Sequence, residues 1–380
     1  MAAVAGGALL LRLVYPACCP PGFNPDEPQH ASVAAYARSI DSPLFPASDG
    51  VCVLLAEVFQ APLRPWTPVI GTRLALRLPS MIGGAAAALL VFAVCRVLGL
   101  GVLASICGAV LYATAPWSLF FGRLSDGGEL LWFALLLLLM LSRLAFAPRA
   151  GPPELMCGTV ALTALLYDYW AGAILLAWAG VSMCLAPTWR RRLACLAIAV
   201  LSGLLWLPWW RTSPYPLLLT RVLLGAPSTV PTWQIATPYP ASPGPEVVAR
   251  LGRLWDALTG PHAVWAIWSE PAVALHPLIA LALAGFGLVS QWFRRAAFLL
   301  GLFVLGLLPT LLPAQGINGH RMLYAFPLLP IAMACGVQSL PYRKASGTLL
   351  AMGIAGWGIW FFFDQFWLPG HITGFPFVYE

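Results

Sequence analysis

Asp26 and Glu27 stand side by side in PGFNPDEPQH, residues 21–30 of a 380-residue chain in which 9% of residues are charged. Adjacent carboxylates here can do either of two jobs. Val33, Tyr36, Ala37 and Ile40 come next at helical spacing, and acids just ahead of a helix are held by its macrodipole, so the pair can be a capping cluster. A carboxylate can also take the proton of an attacking hydroxyl within hydrogen-bond reach. A second acidic group, Asp126 and Glu129, lies in APWSLFFGRLSDGGELLWF behind Arg123, with which Asp126 can simply pair. Arg73 and Arg77 precede one apolar run, and His320 and Arg321 precede another. Arginine forks bind phosphate bidentately, although an arginine at a helix end can equally be an interfacial anchor.

These residues must be positioned by a very apolar chain. Hydrophobic residues make up 60%, aromatics 12%, and mean hydropathy is +0.82, too greasy for a soluble domain of this size. Long uniform apolar runs exclude alternating barrel strands and predict an all-α polytopic membrane protein. Spans are expected near 80–98, 102–119, 129–146, 155–167, 169–186, 193–210, 272–292, 296–313, 322–340 and 346–363. A short first run, 2–15, carries Arg12 and lacks the basic n-region of a signal peptide, so it is read as a retained helix. The total is about 11 spans. Glycine and proline, 35 each, read as residues of loops and helix ends.

Arg96, Arg143, Arg149, Arg190, Arg191, Arg192, Arg294, Arg295, Arg343 and Lys344 fall in alternate short loops, which the positive-inside rule places in the cytoplasm. The net charge of +7 is then a topology signal and no sign of nucleic-acid binding. The acids concentrate on the opposite side, where the long loops are. One transmembrane domain is expected over 1–363, with outward loops 16–79, 120–129, 211–271 and 314–321, and an outward tail over 364–380. VCVLLAEVFQ in the first loop reads as an interfacial amphipathic helix. There is no CxxC or zinc spacing among nine cysteines, and no inverted repeat.

Four stretches, in order, resemble the polyprenyl-phosphate-dependent glycosyltransferases of the GT-C fold, especially protein O-mannosyltransferases and the lipid A aminoarabinose transferase. They are NPDEPQHASVAAYARSI, ALRLPSMIGGAAAALLVFAVCRVLG, ATAPWSLFFGRLSDGGELLWFALLLLL and NGHRMLYAFPLLPIAMACGV, together reaching from residue 20 to about 340. The resemblance implies a GT-C bundle and inverting transfer of a sugar from a dolichyl or undecaprenyl phosphate to an outward-facing protein, lipid or glycan. It makes Asp26 the general base and Glu27 its orienting partner. Asp126 and Glu129 become the acids of the second loop. Arg321, with Arg123, Arg77, Arg73 and His320, would hold the donor phosphate. The resemblance implies a bacterial inner or plasma membrane, or the endoplasmic reticulum, with the site outward. No metal is required, since arginines can supply the positive charge, although Mg or Mn between Asp26, Glu27 and Asp126 is the other possibility. Against the resemblance, neither the large outward C-terminal domain of several members nor an inserted lumenal domain of the O-mannosyltransferase type is expected, the latter leaving the acceptor open. An inactive scaffold of the same fold, or a transporter or flippase of lipid-linked substrate, are the competing readings. The transporter would call for ionisable groups inside the spans, where the expected spans hold almost none.

Overall fold

Apolar runs punctuated by proline and arginine become helices, and among the described residues there are no strands. The computed structural model describes residues 1–14, 72–123, 127–168, 170–212, 277–291, 293–311, 324–340 and 345–367. In chain order the helices are α1 (Ala2–Leu13), α2 (Thr72–Val97), α3 (Val102–Thr114), α4 (Pro116–Phe121), α5 (Gly127–Phe146) and α6 (Pro152–Asp168). A 3₁₀ turn, Trp170–Ile174, leads into α7 (Leu175–Leu185) and α8 (Trp189–Thr212). The remainder are α9 (Pro277–Ser290), α10 (Phe293–Leu311), α11 (Leu328–Ser339) and α12 (Ser346–Trp367).

Helices that are apolar on every side belong at the centre, and α3 and α11 are those helices. Every residue of α11 from Leu328 to Val337 is buried, as are Cys107, Leu111 and Tyr112 of α3. Around them α2 packs on α5, α5 on α6, α6 on α8, and α9 on α11. The outer helices turn apolar side chains outward: Met156 and Val160 on α6, and Leu193, Leu196, Val200 and Leu204 on α8, are all exposed. Water would penalise that surface and a lipid environment would not.

Two prolines shift the expected boundaries. The span expected from residue 80 begins at Thr72 and carries Pro79 inside it, so Arg73 and Arg77 belong to α2 and not to a preceding loop. The span expected over 102–119 is cut at Ala115, whose extended backbone (φ −61, ψ 131) precedes Pro116 at the first turn of α4, as the clash of a proline ring with the preceding residue demands. Among the described residues, one segment is long and apolar enough to cross a bilayer by itself, Arg77–Val97, with mean hydropathy 2.1. Ala2–Leu13, Val102–Thr114, Leu130–Phe146, Gly172–Leu185 and Leu328–Ser339 are shorter apolar helices. The expectation that glycines sit in loops and helix ends is also corrected. Gly84, Gly108, Gly287 and Gly336 lie inside helices at close approaches, where a side chain would hold neighbours apart.

At one end of the bundle the short loops tie to each other through their arginines. Arg191 donates to Ala147 O and Pro148 O, both at 2.6 Å, and Arg192 donates to Ala186 O at 3.1 Å. Arg294 donates to Leu185 O, and the Gly101 amide donates to Gln338 Oε1 at 2.9 Å. The basic loops expected to share a side therefore meet at one end of the fold; Arg343 and Lys344 lie outside the described residues.

Glu154, the acid expected on that side, is 4% exposed there. It accepts from Arg143 Nε and the Gly151 amide, both at 2.6 Å. Burial alone would raise its carboxyl, but the Gly151 amide and the Arg143 guanidinium outweigh burial and hold it below its ordinary value. A carboxyl depressed in the folded state stabilises that state above its unfolded value, about 4.3 for glutamate, and the contribution is lost as pH falls through the folded value. Glu154→Gln should therefore cost roughly 1 kcal/mol at neutral pH, Arg143 being partly exposed, and progressively less below about pH 4. Thermal unfolding in detergent across that range is the check. A cost independent of pH would show that ionisation of Glu154 contributes nothing.

Candidate active site

The opposite end of the bundle gathers arginines with a different role. Pro116 has no N–H to continue α3, and the chain turns into α4, whose six residues are all buried. Trp117 anchors the turn, edge-on to Tyr112 at 5.5 Å and tilted on Phe326 at 5.3 Å. Phe326 belongs to the turn that leads into α11 and, with Tyr324, is buried.

Arg12, Arg77 and Arg123 are each 0% exposed. Arg12 lies one residue from the end of α1 and donates from Nη1 to Ala8 O at 3.0 Å. Its Nη2 donates to Ser118 O at 3.1 Å and to Ser118 Oγ at 2.7 Å. Arg123, just past α4, donates in return from Nη2 to Leu11 O. On α2, Ser80 Oγ donates to Phe121 O at 3.4 Å, and Arg77 lies one turn earlier. The guanidinium of Arg12 fits because two glycines face it. A Cβ on Gly84 would come within 2.9 Å of Nε, and one on Gly122 within 2.5 Å.

Buried guanidinium groups in a low-dielectric interior are costly unless hydrogen bonds or anions compensate them. Here Arg12 is compensated by the oxygens of Ala8 and Ser118 and Arg123 in part by Leu11 O, and Arg77 shares the buried layer with them. Beside α4, a small apolar pocket lies between the α3–α4 break, α11 and α12, lined by Thr114, Pro116, Trp117, Pro330, Met333 and Gly358.

Of the residues expected at the site, the structure places Arg77 and Arg123 in this buried layer. Arg73 and Glu129 lie on α2 and in the first turn of α5, with side chains outside the described residues. Asp26, Glu27, Asp126, His320 and Arg321 lie outside them altogether, as does any cation arrangement among those acids. Among the described residues no three His, Cys, Asp or Glu gather as metal ligands. Sequence reasoning missed Arg12 and Ser118. The available signal was a lone charge in an apolar helix, which must find partners, yet Arg12 had suggested only a shortened span.

No protein-family profile matches the sequence, and no curated protein matches it significantly. Solved structures do. The Archaeoglobus fulgidus oligosaccharyltransferase in its apo form superposes with TM-score 0.54 at 13% identity, over 98% of this chain and 56% of that one. The oligosaccharyltransferase AglB from Archaeoglobus fulgidus, in complex with an inhibitory peptide and a dolichol-phosphate, gives TM-score 0.52 at 14% identity, over 96% and 55%. ArnT from Cupriavidus metallidurans in the apo state gives TM-score 0.50 at 14% identity, over 93% and 62%. The chain spans little more than half the length of these proteins. Its helices have the GT-C glycosyltransferase fold that the four sequence stretches resemble.

Proposed function

We propose that the chain is a membrane glycosyltransferase that moves a sugar from a polyprenyl phosphate, dolichyl or undecaprenyl, to an acceptor on the side opposite the basic loops, with inversion. The observation that supports the reading is the GT-C bundle itself, with Arg77 buried at the end opposite the basic loops. One structural neighbour was solved with a dolichol-phosphate, and an oligosaccharyltransferase of the same organism was solved tethered to an acceptor peptide containing the NVT sequon. A donor of that chemistry needs cations for its phosphate and a hydrocarbon groove for its chain.

In the proposed reaction Asp26 takes the proton of the acceptor nucleophile as it attacks the anomeric carbon. The bond from that carbon to the phosphate oxygen breaks on the opposite face, and the lipid phosphate departs with the electron pair. Glu27 holds Asp26 or the acceptor; Asp126 and Glu129 shape the acceptor side. Arg77 and Arg321, supported by Arg73 and His320, neutralise the departing phosphate, so no protonated acid is needed opposite the base. Arg123 is at least partly engaged by Leu11 O and serves the phosphate less directly. A divalent cation between the acids is not required by this chemistry.

The test is release of label when the purified protein is incubated with a panel of radiolabelled polyprenyl-phosphate sugars. Turnover of none of them would overturn the reading. Where turnover occurs, Arg77→Lys should raise the KM for the donor about tenfold, a loss of about 1.4 kcal/mol, because an ammonium cannot reproduce the guanidinium fork. An unchanged KM would remove Arg77 from the phosphate site.

A further inference from the structure

We infer that Arg12 and Arg123 are positioning residues that clasp the end of α1 to the end of α4, the two points from which the acid-bearing segments depart; this rests on the function proposed above. The last carbonyls of a helix have no partner within it, and a cation at that end is favoured by the macrodipole. In α1 the Val14 amide takes Leu10 O at 3.0 Å, and Leu11 O receives Arg123. In α4 the Gly122 amide takes Ser118 O at 3.0 Å, and the same oxygen receives Arg12. Each arginine thus caps the helix that carries the other.

The arrangement is a brace and not an anion receptor. Arg12 has its Nη groups on Ala8 and Ser118, and its Nε faces Gly84 and Gly122 so closely that not even a methyl group fits beside it. The placement matters because each clasped end leads into a segment that carries acids. The segment with Asp26 and Glu27 departs from the end of α1, and Asp126 comes three residues after Arg123. Loops that carry chemistry need rigid ends. With both ends locked by each other's arginine, the origin of one loop cannot shift without the origin of the other.

Hydrogen exchange on the full-length chain in detergent tests this directly. Arg12→Gln and Arg123→Gln should each speed exchange at least tenfold at both residues 10–14 and residues 116–123, leaving α8 unchanged. Loosening confined to the mutated residue's own helix would overturn the clasp. Ser118→Ala, which removes one hydroxyl and is the variant to read if the arginine variants do not fold, should give the same two-ended pattern severalfold smaller. Exchange unchanged at both ends in that variant would also overturn it. In the transfer assay, Arg12→Gln should lower kcat at least tenfold with the donor KM within twofold, and Arg12→Lys should recover part of the loss. A raised KM with unchanged kcat would mark a donor contact and overturn the positioning role. If the wild-type chain transfers no sugar, the proposed function fails and the exchange experiment alone decides the clasp.

Discussion

Asp26→Asn should lower turnover of a polyprenyl-phosphate sugar by about a hundredfold to ten-thousandfold, the range a general base contributes, with the protein still inserting and remaining monodisperse in detergent. The substitution separates the two jobs open to the Asp26–Glu27 pair. Asparagine caps a helix about as well as aspartate, so a pair that only capped would leave both stability and turnover almost unchanged. Asparagine cannot accept a proton at neutral pH, so a base is lost completely. Label release from the donor at saturating acceptor measures the effect. Glu27→Gln should cost less, because an orienting amide still hydrogen-bonds. Turnover within twofold of wild type in Asp26→Asn would return the pair to capping and remove the central residue of the proposed mechanism.

Much of the architecture was legible in the sequence because length and uniform hydrophobicity are strong signals. The runs that became α5, α10 and α12 were recognised nearly in full for that reason. Proline was read the wrong way twice. At Pro79 the expected span began only after the ring, although α2 runs straight through it, its lost hydrogen bond tolerated where neighbouring helices pack on both flanks. At Pro116 the expected span ran on, although the ring ends α3. There the helix closes with the Ala115 amide on Tyr112 O at 3.3 Å, and Trp117 finds a buried aromatic seat that stabilises the new direction. Local rules say what a proline removes; only packing says whether the helix survives it. The candidate site was legible in part. Arg77 and Arg123 stood out by type and place, whereas Arg12 was hidden because its partner Ser118 is 106 residues away and a serine at that distance carries no local signature. The glycines were counted but their spacing was not used, and that spacing has the largest structural consequence.

Gly336→Ala should be among the most destabilising single substitutions in the bundle, at roughly 3 kcal/mol or more, the upper end of what overpacking costs. A methyl group at that position would come within 2.3 Å of Leu283 O, and one at Gly287 within 2.1 Å of Ala332 O. Both obstacles are backbone, so no rotamer change relieves them and α9 must move away from α11. At the crossing, Ala332 and Gly336 of α11 are four apart, the small-residue spacing by which membrane helices bring their backbones together, and they meet Leu283 and Gly287 of α9. Separation of α9 would withdraw Leu283 and Ala284, both buried, from the core surrounding α11. The double variant Gly287→Ala/Gly336→Ala should then cost clearly less than the sum of the singles, because the first methyl has already opened the gap the second would need. Gly180→Ala on α7 is the control. Nothing lies within 4 Å of a Cβ there, and alanine's better helix propensity should make it neutral or slightly stabilising. Thermal unfolding of the four variants in one detergent provides the comparison. Additive losses at Gly287 and Gly336, or a loss at Gly336 no larger than at Gly180, would mean that the α9–α11 crossing is not held by backbone contact, and that this side of the central helix is free to yield.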